Sequence, residues 1–179
     1  KENVVAVFCA PDKAGRAEDP LKVFAREKKL PVHQPKSWKT PEALELMKSC
    51  NADLCVMAYV TLFVPQPLLD APRLGTIQYH PSLLPLHRGP SSINWPIAMG
   101  STETGLSVFW PDEGLDEGPI LLQKKVTIGP DETLGDVYFK KLFPIGVDAS
   151  TFTSACGNAD QSGSGLPASC TENVCRVSA

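Results

Sequence analysis

The stretch YHPSLLPLHRGPSSINW, Tyr79 to Trp95, packs three prolines, two histidines, an arginine and a glycine into seventeen residues. Each proline fixes its own φ and removes a backbone donor, so a loop with this composition is stiff and suited to holding something in place. Leu83 and Leu84 sit at its centre. On its N-terminal side GTIQYH (Gly75 to His80) reads as a strand, which puts His80 where strand becomes loop. On its C-terminal side Ser91 can cap a helix running through Met99, with Pro96 expected to kink it near its start.

Working outward, the chain alternates strand-like and helix-like segments. NVVAVFCAP (Asn3 to Pro11) and DLCVMAYV (Asp53 to Val60) are short apolar runs of the kind buried parallel strands show. Between them, Asp12 to Asp19 reads as polar loop and Pro20 to Lys29 as a helix. In KTPEALELMKSC, Thr40 is placed as N-cap, Pro41 at the first helical position and Glu42 in the first turn. VPQPLLDAP makes a short helical turn. Beyond the stiff loop, TGLSVFW and ILLQKKVTI alternate apolar with polar residues as exposed-face strands do, and DETLGDVYFKKLF is an amphipathic helix. Strands alternating with helices indicate an α/β domain with a mostly parallel sheet, expected over residues 1–149. From Ser150 the sequence turns small, polar and aperiodic, and 150–179 is expected to be a disordered tail.

The chain has 179 residues, 42% hydrophobic and 21% charged, with a net charge of −3. That composition fits one globular domain and offers no global positive field for nucleic acid. No apolar run approaches the roughly 18 residues of a membrane span and no signal peptide opens the chain, so no membrane partner is expected. The first residue is Lys1 rather than Met, which suggests a piece of something longer. Cys9, Cys50 and Cys55 lie in apolar-patterned segments as small core residues do. Cys156, Cys170 and Cys175 lie in the tail and match no zinc spacing. A reducing, cytoplasmic setting is expected, and no metal.

Two residues, one closing a strand and one in a loop, are candidates for chemistry. His80 ends a strand, and in open α/β sheets ligands collect beyond the carboxyl ends of strands. WPDEGLDEGP (Trp110 to Pro119) puts four carboxylates between two strands. Asp116, framed by Leu115 and glycines, is the one expected to point inward, whereas Asp112, Glu113 and Glu117 are expected to be solvated. Each has a plainer reading. His80 can be a structural hydrogen-bonder, Asp116 a turn former, Arg88 a surface charge and Trp95 a core aromatic. Spacing alone therefore reaches an α/β domain with a polar site.

HPSLLPLHRGPSSINW followed by ETGLSVFWPDEGLDEGPILLQ (Glu103 to Gln123) resembles the catalytic domain of the formyltransferase family. That family uses 10-formyltetrahydrofolate. It includes methionyl-tRNA formyltransferase, glycinamide ribonucleotide formyltransferase and the hydrolase domain of 10-formyltetrahydrofolate dehydrogenase, which YHPS and INW resemble most. The resemblance covers roughly Asn3 to Ala149 and implies a Rossmann-like, mostly parallel sheet. It also implies that the family's first strand–helix unit is lacking, since the strand at Asn3 matches the second of the family. His80 and Asp116 are then the catalytic pair, and Ser82, Leu83, Leu84 and Pro85 the folate-binding turn. Leu62, Phe63 and Val64 match a stretch that contacts the formylfolate. The transferases carry asparagine two residues before the histidine, where this chain has Gln78. That departure leans toward hydrolysis or an unusual acceptor. GLDTG of the family is GLDEG here.

The resemblance implies removal of the formyl group of 10-formyltetrahydrofolate, the one-carbon donor, by hydrolysis or by transfer to an amine. Attack builds negative charge on the formyl oxygen, which a protonated His80 can stabilise, while Asp116 takes the nucleophile's proton or keeps His80 charged. The alternatives are a methionyl-tRNA formyltransferase, with initiator Met-tRNA as acceptor, and an inactive fragment of such an enzyme. The acidic balance counts against the first.

Overall fold

The computed structural model describes residues 3–60 and 62–155. The chain falls into two compact units, one formed by 1–53 with 62–73 and the other by 54–61 with 74–179.

In the first unit, β1 (Val7–Phe8) runs parallel to β2 (Val32–His33). Between them α1 (Pro20–Glu27) starts where Asp19 accepts a hydrogen bond from the Leu21 N–H at 2.8 Å, with proline at its first position. Helix α2 (Pro41–Ser49) is capped as expected, the Thr40 hydroxyl accepting from the Ala43 N–H at 3.3 Å. A single turn, α3 (Gln66–Leu69), supplies the buried Leu68 and Leu69. The buried character expected of the first strand does not hold. Val4 and Val5 are exposed and the strand proper is two half-buried residues, because β1 is hydrogen-bonded to β2 alone in a two-stranded sheet. Strand β2 went unread in the sequence, being two residues enclosed by Pro31 and Pro35.

The second unit is a four-stranded sheet in the order β3–β4–β5–β6. Strand β3 (Cys55–Met57) is parallel to β4 (Thr76–His80), and β5 (Glu103–Phe109) and β6 (Ile120–Thr127) follow antiparallel. The α/β class holds, with parallel pairing in β1–β2 and β3–β4 and antiparallel pairing at the β5 and β6 side. One face of this sheet carries Ile77, Leu106 and Val108, closed over by Val137, Leu142 and Ala149. Those last three come from a π-helical stretch, Asp136–Leu142, and the α-helix that continues it, α5 (Phe143–Ala155). Gly146 of α5 lies against Tyr79, where a Cβ would come within 2.8 Å of the ring. Thr133 and Asp136 cap the start reciprocally, the Asp136 N–H donating to the Thr133 hydroxyl at 3.3 Å and the Thr133 N–H to the Asp136 carboxylate at 3.0 Å. Helix α5 runs through Ala155, past the boundary expected at 149; from residue 156 the expected tail, with its three cysteines, lies outside the described residues.

Ser91 does not cap a helix with its side chain. It has φ +62° and offers its backbone carbonyl to the N–H groups of Asn94 and Trp95, so α4 starts later and is short, Asn94–Ala98. Trp95 is 54% exposed rather than a core aromatic, and the buried residue of α4 is Pro96.

Candidate active site

Gln78 and His80 are two apart on β4 and so project to one face of the sheet, opposite to Ile77 and Tyr79. His80 is the last residue of the strand and is 5% exposed. The loop after it turns back sharply, the Ser82 N–H donating to the His80 carbonyl at 2.9 Å, and passes a cis Leu84–Pro85 peptide. It then brings the His87 carbonyl within 2.9 Å of His80 Nε2. A carbonyl can only accept, so this contact fixes the hydrogen on Nε2 and turns Nδ1 toward Asp116.

Asp116 is delivered by the loop between β5 and β6. That loop is closed by hydrogen bonds from Trp110 N–H to the Pro119 carbonyl, 2.9 Å, and from Asp112 N–H to the Glu117 carbonyl, 3.2 Å. Gly118 makes the closure possible. Its φ is +121°, and a Cβ there would lie 1.9 Å from the Trp110 carbonyl oxygen. Asp116 itself has φ +48°, a conformation that aspartate tolerates better than most residues. Its side chain is buried, and its oxygens accept from Gln78 Nε2 at 2.9 Å and from the Gly89 N–H at 2.6 Å, with His80 Nδ1 3.4 Å from Oδ2. With Nε2 facing the His87 carbonyl, Nδ1 is the ring nitrogen left to face the Asp116 carboxylate. Beside it, Arg88 and Glu117 form an ion pair at 2.6 Å that joins the same two loops at a half-exposed position.

The structure thus brings Gln78, His80 and Asp116 together, and adds His87 and Gly89, which act through backbone atoms. Ser82 is fully buried, with its hydroxyl donating to the Leu86 carbonyl at 2.7 Å, and Leu84 is buried as well. Leu83 is half-buried, whereas Pro85 is exposed. Ser82 and Leu84 hence shape the turn from inside. Leu62, Phe63 and Val64 belong to the other unit, where Leu62 and Phe63 are exposed and Val64 half-buried. Two residues passed over in the sequence, Ser107 and Gln123, reach the turn from β5 and β6. The period-two alternation of those strands was the signal that could have placed them on the His80 face. Among the described residues, no group of three or more His, Cys, Asp or Glu could hold a metal ion.

A stiff loop and a glycine-closed loop thus bring a buried histidine and aspartate together at the end of a strand, and comparison with known proteins identifies the family. The formyl transferase family matches residues 1–144, and the chain belongs to it. It is 44% identical over 151 residues to the mitochondrial 10-formyltetrahydrofolate dehydrogenase of Homo sapiens, a match that spans 82% of this chain and 16% of the relative. A methionyl-tRNA formyltransferase of Trichlorobacter lovleyi is 42% identical over 142 residues, 76% of this chain and 45% of the relative. The chain therefore spans about one sixth of the dehydrogenases and less than half of the transferase. Among solved structures, phosphoribosylglycinamide formyltransferase from Bacillus halodurans superposes with a TM-score of 0.70 at 25% identity, covering 85% of this chain and 81% of that one. No described helix is long and apolar enough to cross a membrane.

Proposed function

We propose that this chain carries the site at which the formyl group of 10-formyltetrahydrofolate is removed, by water or by an amine. The observation that carries the reading is the pairing of buried His80 with Asp116, whose carboxylate is also held by Gln78 and Gly89. The formyl carbon on N10 is amide-like, a poor electrophile with a poor leaving group. A nucleophile bonds to that carbon and gives its proton to Asp116, directly or through a water. Negative charge develops on the formyl oxygen. Gln78 can meet it, because its amide nitrogen has two hydrogens and only one is committed to Asp116. Collapse breaks the C–N10 bond, and the proton taken from the nucleophile is handed on to N10, by Asp116 directly or through a water. With water as nucleophile the products are formate and tetrahydrofolate.

The exposed side of the SLLP turn (Ser82 to Pro85) walls the folate. The dehydrogenase relatives and Gln78 in place of asparagine favour water as acceptor. The 42% identical methionyl-tRNA formyltransferase keeps aminoacyl-tRNA as the second reading. A cytoplasmic setting belongs to the same proposal and is supported by the free, half-buried thiols at Cys9 and Cys50. Supplying 10-formyltetrahydrofolate labelled in the formyl carbon separates the acceptors. Label in formate, unchanged by added methionyl-tRNA, supports hydrolysis; label on the aminoacyl amine supports transfer; label retained on the folate refutes the proposal.

A further inference from the structure

The sheet face that carries His80 also carries a polar row for which the proposed reaction has no direct use. His80 on β4 stands opposite Ser107 on β5, and Ser107 stands opposite Gln123 on β6; directly opposed residues of antiparallel strands project to the same face. Ser107 is fully buried, so its hydroxyl needs partners. All of its capacity is filled. It donates to the Ser82 carbonyl at 2.8 Å, and it accepts from the Leu84 N–H at 3.0 Å and from Gln123 Nε2 at 2.9 Å. Gln123 spends its other amide hydrogen on the Leu84 carbonyl at 2.8 Å. Next to Ser107, Gly105 leaves the space in which Leu83 sits. A Cβ at 105 would lie 2.6 Å from Leu83 Cδ2 and 2.2 Å from the Lys124 carbonyl.

We propose that Ser107 and Gln123 are positioning residues that set where the SLLP turn stands relative to His80, and thereby set affinity for the folate. The inference rests on reading that turn as the folate wall. The turn lies outside the strand ladder, and on its inner side the Ser82 carbonyl and both backbone polar groups of Leu84 are held by these two side chains. Loosening them lets the wall drift while His80, anchored on β4 and by the His87 carbonyl, stays in place. The effect therefore falls on binding more than on the chemical step.

The test uses the full chain and the variants Ser107→Ala, Ser107→Thr and Gln123→Ala. It reads tetrahydrofolate binding by calorimetry, kcat and KM for formate release, and thermal melting. Gln123 is exposed, so its truncation opens no cavity in the core. Losing hydrogen bonds that fix the turn is expected to weaken tetrahydrofolate binding roughly tenfold in Ser107→Ala and severalfold in Gln123→Ala. KM rises in step, kcat stays within about twofold, and Ser107→Thr recovers part of the affinity. Unchanged binding in both truncations, or kcat and KM changing together with the melting temperature, overturns the proposal, as does a parent chain that binds no tetrahydrofolate. If the parent binds tetrahydrofolate and the variants bind it weakly, but no formate appears, the positioning role stands and the hydrolytic reading fails.

Discussion

Replacing Asp116 by asparagine separates the charge of this residue from its shape. The backbone at φ +48° accepts asparagine as readily as aspartate. The amide oxygen keeps the 2.6 Å bond from Gly89, and the new amide nitrogen turns to Gln78, whose own amide can rotate to present oxygen. The cost to folding is therefore small, about 1 kcal/mol for one weakened buried hydrogen bond. The cost to catalysis is not. Asparagine cannot accept the nucleophile's proton or share one with His80, and losing a general base of this kind costs about 10²–10⁴-fold, or roughly 2.7–5.5 kcal/mol of barrier. The assay pairs initial rates of formate release with a thermal melt of the same preparation. If Asp116→Asn keeps more than about a tenth of the parent rate, an effect under about 1.4 kcal/mol, the role given to the carboxylate is wrong. An equal collapse of melting temperature and rate also refutes the reasoning.

Other perturbations test the surrounding structure. Gly118→Ala meets a Gly-only φ and a 1.9 Å approach to the Trp110 carbonyl; the strained backbone alone costs about 1–3 kcal/mol, so denaturant titration should show at least that loss. The Tyr79 hydroxyl is buried and has no hydrogen-bond partner among the described residues, so Tyr79→Phe should leave stability unchanged or raise it by about 1 kcal/mol. Burial, and then Tyr138, push the Tyr79 phenol above its ordinary value of 10.0. The folded state then holds the proton longer, and stability falls as pH rises past 10, a fall that Tyr79→Phe should blunt. Asp136 is held below its ordinary 3.8 by Lys140 first and by Thr133. Its contribution is present above that value and lost as pH falls below it, so acid melting should soften in Asp136→Asn.

Much of the architecture was legible in local chemistry. Thr40, Pro41 and the run ending at His80 announce a capped helix and a strand, and both stand where expected. What could not be read depends on distant neighbours. Val4 and Val5 carry the composition of a buried strand, but burial is decided by how many strands flank them. Ser91 looks like an N-cap, yet the tertiary path of the loop puts it at positive φ and moves the helix start onward. In the site, Gln78, His80 and Asp116 were nameable from motif and resemblance. Gly89 and His87 contribute only backbone atoms, which no side-chain pattern reveals. Ser107 and Gln123 are ordinary polar residues in alternating strands, and only the register across β4, β5 and β6 sets them beside the turn.

In the proposed reaction His80 and Asp116 together release the formyl group of 10-formyltetrahydrofolate. The most direct measurement is single-turnover loss of that group in the protein carrying this chain, compared with its His80→Ala variant at matched tetrahydrofolate occupancy. Formate and tetrahydrofolate are expected in equal amounts from the parent, and at least a hundredfold slower release from His80→Ala, about 2.7 kcal/mol of barrier, with the folate still bound. Equal rates in the two proteins would contradict it.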